Sequence, residues 1–454
     1  MLRKTDFSRY FHSPEELATQ VLQVFFRGKD IAYPIDPFKI LQEFGIVFQL
    51  RNFDKLEGVY IVPEDESDIP IVGINSNRPI TRQRFTAAHE ICHHIKDKTS
   101  VYCPMSGQKN TVEKFADDFA ANLLMPLSDL EEISNCYIEN EYIDFDNVLR
   151  IADFFGVSFE SCVFRLAYKM RRISGETDSE SLRKRIRSYK PQKKRVSIGL
   201  ENHDTALLRN IINSYEFFFS QESNIVRYKF KNDFVFNENR LEGLSVDHDE
   251  VSMITTDLRM KKQESLYCNS ANRTIIEVCG HSTIYDYILS TEDKISAFSL
   301  LRLHKLLYQY SPHPEAAGVL RQTNVLVINS KFETSDYHDI ITQMAALDKE
   351  VQGLLQSINQ MTVTDYIDRV MVIHHRITLI HPFQDGNGRV SRAFVNWLFT
   401  LKGLPPVYLK QESKEIYLQA LSIADRFHNY LPLNEIFYRE ILRSMCELNS
   451  KFMS

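Results

Sequence analysis

HPFQDGNGRVSR, residues 381–392, packs a histidine, a carboxylate, two glycines and two arginines into twelve positions. Asp-Gly and Asn-Gly are strong hairpin-turn signals, so DGNG read alone predicts a β-turn. No strand follows it. Val390, Phe394, Trp397 and Leu398 fall at helical spacing, and the glycines therefore stand at the start of a helix. A glycine-rich turn feeding a helix N-terminus offers free backbone N–H groups at a positive dipole end, which suits phosphates. Arg389 and Arg392, three apart, can reach the same phosphates. Asp385 suits Mg²⁺ at a triphosphate, and His381 can serve as a general base near neutral pH. Positioned phosphates, neutralised charge and a base for an incoming hydroxyl are what phosphoryl or nucleotidyl transfer requires.

Outward from this stretch, nearly everything after residue 204 reads as helical except VLVIN at 325–329. Upstream, residues 169–195 hold eleven Lys or Arg against three Asp or Glu and few apolar residues, the composition of a linker or a solvated helix. Before it, VYIV (59–62) and PIVGIN (70–75) read as strands, followed by helical periodicity in TRQRFTAAHEICHHI and TVEKFADDFAANLLM. Three segments result: an α+β domain over 1–168, a basic linker over 169–203, and a mostly helical domain over 204–454. Two helices flanking FGVS, within 148–169, have the outline of a DNA-reading helix-turn-helix, but the second offers few side chains that grip bases or phosphates. A net charge of −6 argues against a nucleic-acid coat. Seven scattered cysteines with no C-x-x-C pair, no secretory h-region and no run of membrane-spanning length predict a cytoplasmic protein.

HEICH, residues 89–93, is a second candidate centre. His89 and His93 lie one helical turn apart and can share a metal ion, with Glu90 turned toward the metal-bound water as base. A zinc site needs a third ligand. On the helix over 112–125 the apolar face is Val112, Phe115, Ala116, Phe119, Ala120, Leu123 and Leu124; Glu113 lies at its edge beside small alanines, and Asp117 is the alternative.

The run from PIDPFKILQEFGIVF to VEKFADDFAANLLMP resembles the ImmA/IrrE family of metallopeptidases. That resemblance covers about residues 15–170 and implies a zincin-like fold, zinc on His89, His93 and Glu113, Glu90 as base, and a repressor protein as substrate. H-x-F-x-[DE]-G-N-G-R-x-x-R, the Fic family motif, is matched from His381 through Phe383, Asp385, Gly386, Asn387, Gly388 and Arg389 to Arg392. The resemblance spans about residues 230–425. It implies a helical domain with a small β flap, formed here by VLVIN, and transfer of AMP from ATP to a Tyr, Thr or Ser hydroxyl of a target protein. NENRLEGLS, 237–245, resembles the family's inhibitory helix, [ST]-x-x-x-E-[GN], with Glu242 and Gly243 in place but Glu238 where Ser or Thr is usual. Three readings follow: two enzymes in one chain, as when a protease controls a toxic modifier; one enzyme with a sensing module; or a DNA-associated regulator.

Overall fold

The computed structural model describes residues 2–63, 69–97, 99–105, 110–198, 200, 203–214, 224–325 and 334–448. Contacts divide the chain into a first unit up to residue 215 and a second over 216–450.

In the first unit, α1 (Pro14–Phe25) starts at Ser13, whose Oγ accepts from the Glu16 N–H, with proline at the first helical position. Then come α2 (Pro37–Glu43), β1 (Val47–Arg51), β2 (Leu56–Ile61), β3 (Ile71–Asn75), α3 (Ile80–Lys96), β4 (Val101–Pro104) and α4 (Thr111–Leu124). The four strands form a mixed sheet in the order β1-β3-β2-β4, parallel only between β1 and β3. The alternating runs predict β2 and β3; β1 and the short edge strand β4 carry too little pattern to be read in advance. α3 lies against β2 at Gly58, where an added Cβ would come within 2.4 Å of Thr86 Cγ2 and 2.5 Å of Glu90 Oε1. Glycine at that position lets the helix sit close enough to place residues 89–93 over the sheet. α4 packs on α1 and α3 through Ala116, Phe119, Ala120, Leu123 and Leu124, while Val112 is exposed and Glu113 takes the buried place.

After α5 (Leu127–Asn135), α6 (Phe145–Phe155) ends at Gly156 in the left-handed region (φ 68°), and α7 (Phe159–Tyr168) follows. α7 buries Phe159, Cys162, Val163 and Leu166, and the Arg165 guanidinium donates to Asn122 Oδ1. What α7 leaves exposed is Glu160 and Tyr168, with Ser161 and Phe164 half-buried, and its one arginine is the buried Arg165. The basic segment is also folded. α8 (Ser179–Tyr189) buries Leu182 and Ile186, and on α9 (Pro191–Ser197) Arg195 and Lys194 pair with Asp153 and Asp146 of α6. Most of the charge lies on outward faces, Arg195 being buried against Asp153, and two aliphatic residues four apart help to seat α8. α10 (His203–Ser214) packs on α2 and α3.

The second unit holds α11 (Asn224–Leu241), α12 (His248–Lys261), α13 (Arg273–Ser290), α14 (Ser299–Tyr308), α15 (Ile340–Gln356), α16 (Val363–Ile380), α17 (Asn387–Leu401), α18 (Lys414–Phe427) and α19 (Leu431–Leu448). α13 and α14 meet at Gly280, where an added Cβ would lie 2.2 Å from the Leu307 carbonyl oxygen. Only Val325 of the expected flap VLVIN is described; residues 326–329 lie outside the described residues. The segment expected as a helix over 237–245 is instead the last turn of α11 and the turn after it, with Gly243 at φ 84°. No helix among the described residues is long and apolar enough to cross a membrane.

Candidate functional sites

α3 carries His89, Glu90 and His93, and α4 carries Glu113. His89 Nε2 lies 2.9 Å from His93 Nε2 and 3.3 Å from Glu113 Oε2, and His93 Nε2 lies 3.6 Å from Glu113 Oε1. All three residues are buried. The outer nitrogens explain the convergence. His93 Nδ1 is 2.6 Å from Asp97 Oδ2, and His89 Nδ1 is 3.1 Å from Asp117 Oδ1. A carboxylate beside each Nδ1 favours the tautomer with the proton on that side, and the two Nε2 atoms are turned toward each other and toward Glu113. Lone pairs so arranged repel unless a cation sits between them. Bonds of about 2.0–2.1 Å in tetrahedral geometry put donors roughly 3.3 Å apart, so the donor set fits zinc. Asp117, the alternative third ligand, faces the far nitrogen of His89 and orients that ring. Asp97 does the same for His93; a carboxylate four residues past a candidate ligand was its available signal.

Glu90 is fully buried, and among the described residues neither of its carboxylate oxygens has a hydrogen-bond partner. Burial pushes it up to about 8. A carboxyl group so placed can hold and release a proton near neutral pH. Cys92 is buried on the same helix.

The second site is built at the junction of α16 and α17. His381 caps α16 in the left-handed region (φ 50°, ψ 59°), and its Nδ1 lies 3.3 Å from the Thr378 carbonyl oxygen. With Nδ1–H donating there, Nε2 is left as the acceptor. Burial lowers the imidazole below the ordinary histidine range. Arg321, buried, fastens the loop from outside. Its Nε donates to the His381 carbonyl (2.7 Å) and its backbone N–H to the Pro382 carbonyl (2.9 Å).

The rest of the motif divides into groups that shape the loop and groups that face it. Phe383, expected among the nucleotide-binding residues, is fully buried and stacks on His304 at 4.0 Å between centroids. Asn387 uses both ends of its side-chain amide on Phe383, accepting from its N–H (2.9 Å) and donating to its carbonyl (2.7 Å). Both hold the turn rather than offer themselves to a ligand. Gly386 sits at φ 80°, where an added Cβ would be 2.8 Å from the Tyr308 ring. No side chain caps the start of α17, so its first N–H groups remain for an anion. Asp385 is exposed; it accepts from the Gly386 N–H (2.6 Å) and the Tyr308 hydroxyl (3.0 Å), and its open side suits a hard cation at the mouth.

The two arginines, alike in sequence, differ in place. Arg389 is buried, ion-paired to Glu277 on α13, and donates to the Tyr308 hydroxyl (2.8 Å) and to Asp385 (3.0 Å). Arg392 is buried between two carboxylates: its Nε donates to Glu238 (2.8 Å) and its Nη2 to Glu242 (2.6 Å). Burial works to raise Glu242, but the Arg392 charge outweighs it and holds the carboxyl below the ordinary range. Glu277, Glu238, Tyr308 and Arg321 have no role that sequence assigns, because no local spacing links them to a loop sixty or more residues away. His374, within the Fic resemblance, bridges Ser391 and Tyr417, each at 2.7 Å, beneath α17.

The profile of the IrrE N-terminal-like domain matches residues 41–167, and that of the Fic/DOC family matches residues 294–399. The chain therefore carries both domains. It is 32% identical over 139 residues to the protein adenylyltransferase fic-1 of Caenorhabditis elegans, a match covering 30% of this chain and 26% of that protein. It is 28% identical over 153 residues to the protein adenylyltransferase Fic of Nematostella vectensis, covering 33% and 34%. The chain thus spans only about a quarter to a third of the length of these relatives. Among solved structures, Fic-1 from C. elegans overlaps at 18% identity with a TM-score of 0.42, covering 70% of this chain and 90% of that one. A Fic-domain signaling protein from Bacteroides thetaiotaomicron overlaps at 21% identity and a TM-score of 0.41, covering 53% and 93%.

Proposed function

We propose that the second unit transfers AMP from ATP to a Ser, Thr or Tyr hydroxyl of a target protein in the cytoplasm. The observation that carries this reading is the pairing of a His381 Nε2 acceptor with the uncapped N-terminus of α17 across one turn. The target oxygen attacks the α-phosphorus, its proton passes to His381 Nε2, and the bond to the departing pyrophosphate breaks. Gly386 and Gly388 let the phosphates approach backbone N–H groups, and Arg392 faces the outer phosphates. Mg²⁺ at Asp385 supplies charge neutralisation when bound. Incubation of the full chain with labelled ATP and Mg²⁺ in a cell lysate, followed by mass spectrometry, tests the reading; it fails if no protein gains an AMP adduct.

His381 must be neutral to accept the proton. Since burial lowers it, the base form persists to lower pH than the ordinary value of about 6.5, and is lost only as pH falls through the lowered pKa. The acid limb of kcat should therefore lie below about pH 6.5. A limb at or above that value in a pH–rate profile counts against His381 as the base.

A second reading, favoured by the buried and unpartnered Glu90 beside the His-His-Glu group, is that the first unit cleaves a regulatory protein such as a repressor. His89, His93 and Glu113 would hold zinc, whose bound state supplies Lewis acidity and a more acidic water. Glu90 would take and return the proton. We expect Glu90→Gln to keep about one zinc per chain while cleavage is lost, and Glu113→Ala to lose metal. Asp117→Ala, which removes the carboxylate beside His89 Nδ1, should lower zinc affinity by about 10–100-fold and leave a site that still fills at high zinc. Metal analysis showing full zinc in Glu113→Ala would refute the ligand set.

A further inference from the structure

Arg392 has a neighbour that the resemblance does not supply. Where Ser or Thr is usual in the inhibitory motif, this chain has Glu238, and its carboxylate Oε2 lies 2.8 Å from both Nε and Nη2 of Arg392. Glu238 is 2% exposed and sits in the last turn of α11; its Oε1 has no hydrogen-bond partner among the described residues. Glu242 is different. It follows the end of α11, just before Gly243 at φ 84°, and its side chain is 32% exposed. One carboxylate stands within the helix and the other on the turn that closes it.

The charges around the loop decide what this does. Two guanidiniums, Arg389 and Arg392, face four carboxylates: Glu277 and Asp385 on the first, Glu238 and Glu242 on the second. His281, buried nearby with its Nδ1 facing the Glu277 carbonyl, is pushed down to about 3, mainly by burial, and adds no positive charge. Burial raises the Glu238 carboxyl while the Arg392 charge beside it works the other way, and Arg321 adds a cation behind the loop. A polyphosphate entering the loop still meets both phosphate-side guanidiniums already engaged by acidic groups. Displacing Glu242 removes one carboxylate, but Arg392 keeps Glu238 on its Nε edge. Its remaining face, toward Gly388, then presents a neutralised pair instead of a free cation.

We propose that Glu238 is a second, fixed counter-ion of Arg392 that sets how tightly the loop holds the triphosphate, so that displacement of Glu242 alone frees the guanidinium only in part. This rests on the reading of the loop as a nucleotide site. Glu238 touches no substrate; it acts through Arg392, as a positioning residue whose charge matters as well as its shape. Gln keeps the shape and an oxygen for Nε while removing the charge.

The test is calorimetric titration of the full chain with Mg²⁺–ATP, for wild type, Glu242→Gly, Glu238→Gln and the double variant, with the melting temperature of each. The inference expects the double variant to bind ATP roughly tenfold more tightly than Glu242→Gly. A merely structural role would weaken binding and lower the melting temperature together. Should Glu238→Gln misfold, Glu238→Ser, the smaller neutral residue of the motif, replaces it in the same series. Equal or weaker binding by a folded double variant overturns the proposal while leaving the nucleotide site standing. Absence of ATP binding in every variant sinks the nucleotide-site reading, and the proposal with it.

Discussion

His381→Ala should bind ATP nearly as well as the parent protein yet lose transfer by about 10²–10⁴-fold, the range typical of a missing general base. The binding and chemical steps separate here for a structural reason. The turn is held by Arg321, by the side-chain amide of Asn387 and by the stack of Phe383 on His304. None of these passes through the imidazole ring. The backbone of residue 381 does carry load: Arg321 donates to its carbonyl, and it sits at φ 50°, where alanine is somewhat strained. His381→Asn tolerates that conformation better and should behave the same way. Both ATP affinity and label incorporation must be measured on the same preparation. Unchanged incorporation in either variant would rule out His381 as the base, and joint loss of binding and transfer would show a collapsed loop.

Most of the candidate site residues are legible because they are close in sequence. His381 to Arg392 and His89 to His93 each occupy a single helix junction or helix turn, so spacing fixes their relative directions. What was not legible is what reaches them from elsewhere. Glu277 lies 112 residues from the arginine it pairs with, and Glu238 lies 154 from Arg392. Periodicity cannot report such pairs. The same limit applies to Val112 and Glu113, which were read as a face residue and an edge residue. Packing of Ala116, Phe119, Ala120, Leu123 and Leu124 sets the rotation of α4, and that rotation carries Glu113 inward beside His89 while Val112 stays exposed. For residues 169–195 composition leaves a linker and a solvated helix open, since it registers eleven cations but not that Leu182 and Ile186 share one side of α8. Conversely, the helix pair around FGVS is legible from sequence, while which face of α7 stays exposed depends on packing from elsewhere.

Glu242→Gly should raise automodification and target labelling well above the parent level. The Glu242 carboxylate lies 2.6 Å from Arg392 Nη2, a charge-assisted hydrogen bond made where the outer phosphates would need that guanidinium. Such a bond is worth about 1.5–3 kcal/mol, which corresponds to roughly 10–100-fold in rate or affinity if all of it opposes the productive complex. Negative charge beside a phosphate adds repulsion of the same sign. Loss of the side chain need not disturb the fold, because Glu242 follows α11 and contributes no buried apolar contact. Glu238 limits the gain: it keeps Arg392 paired, so the rise should fall toward the low end of that range and grow when Glu238 is also neutralised. Adding His381→Ala to Glu242→Gly should return labelling to the level of His381→Ala alone, since a freed arginine cannot replace a missing base. Labelled ATP supplied to the parent protein, Glu242→Gly and Glu242→Gly/His381→Ala in parallel gives the answer. Equal labelling by the parent and Glu242→Gly would mean that the turn after α11 does not restrain the site, and that the contact to Arg392 serves the fold alone.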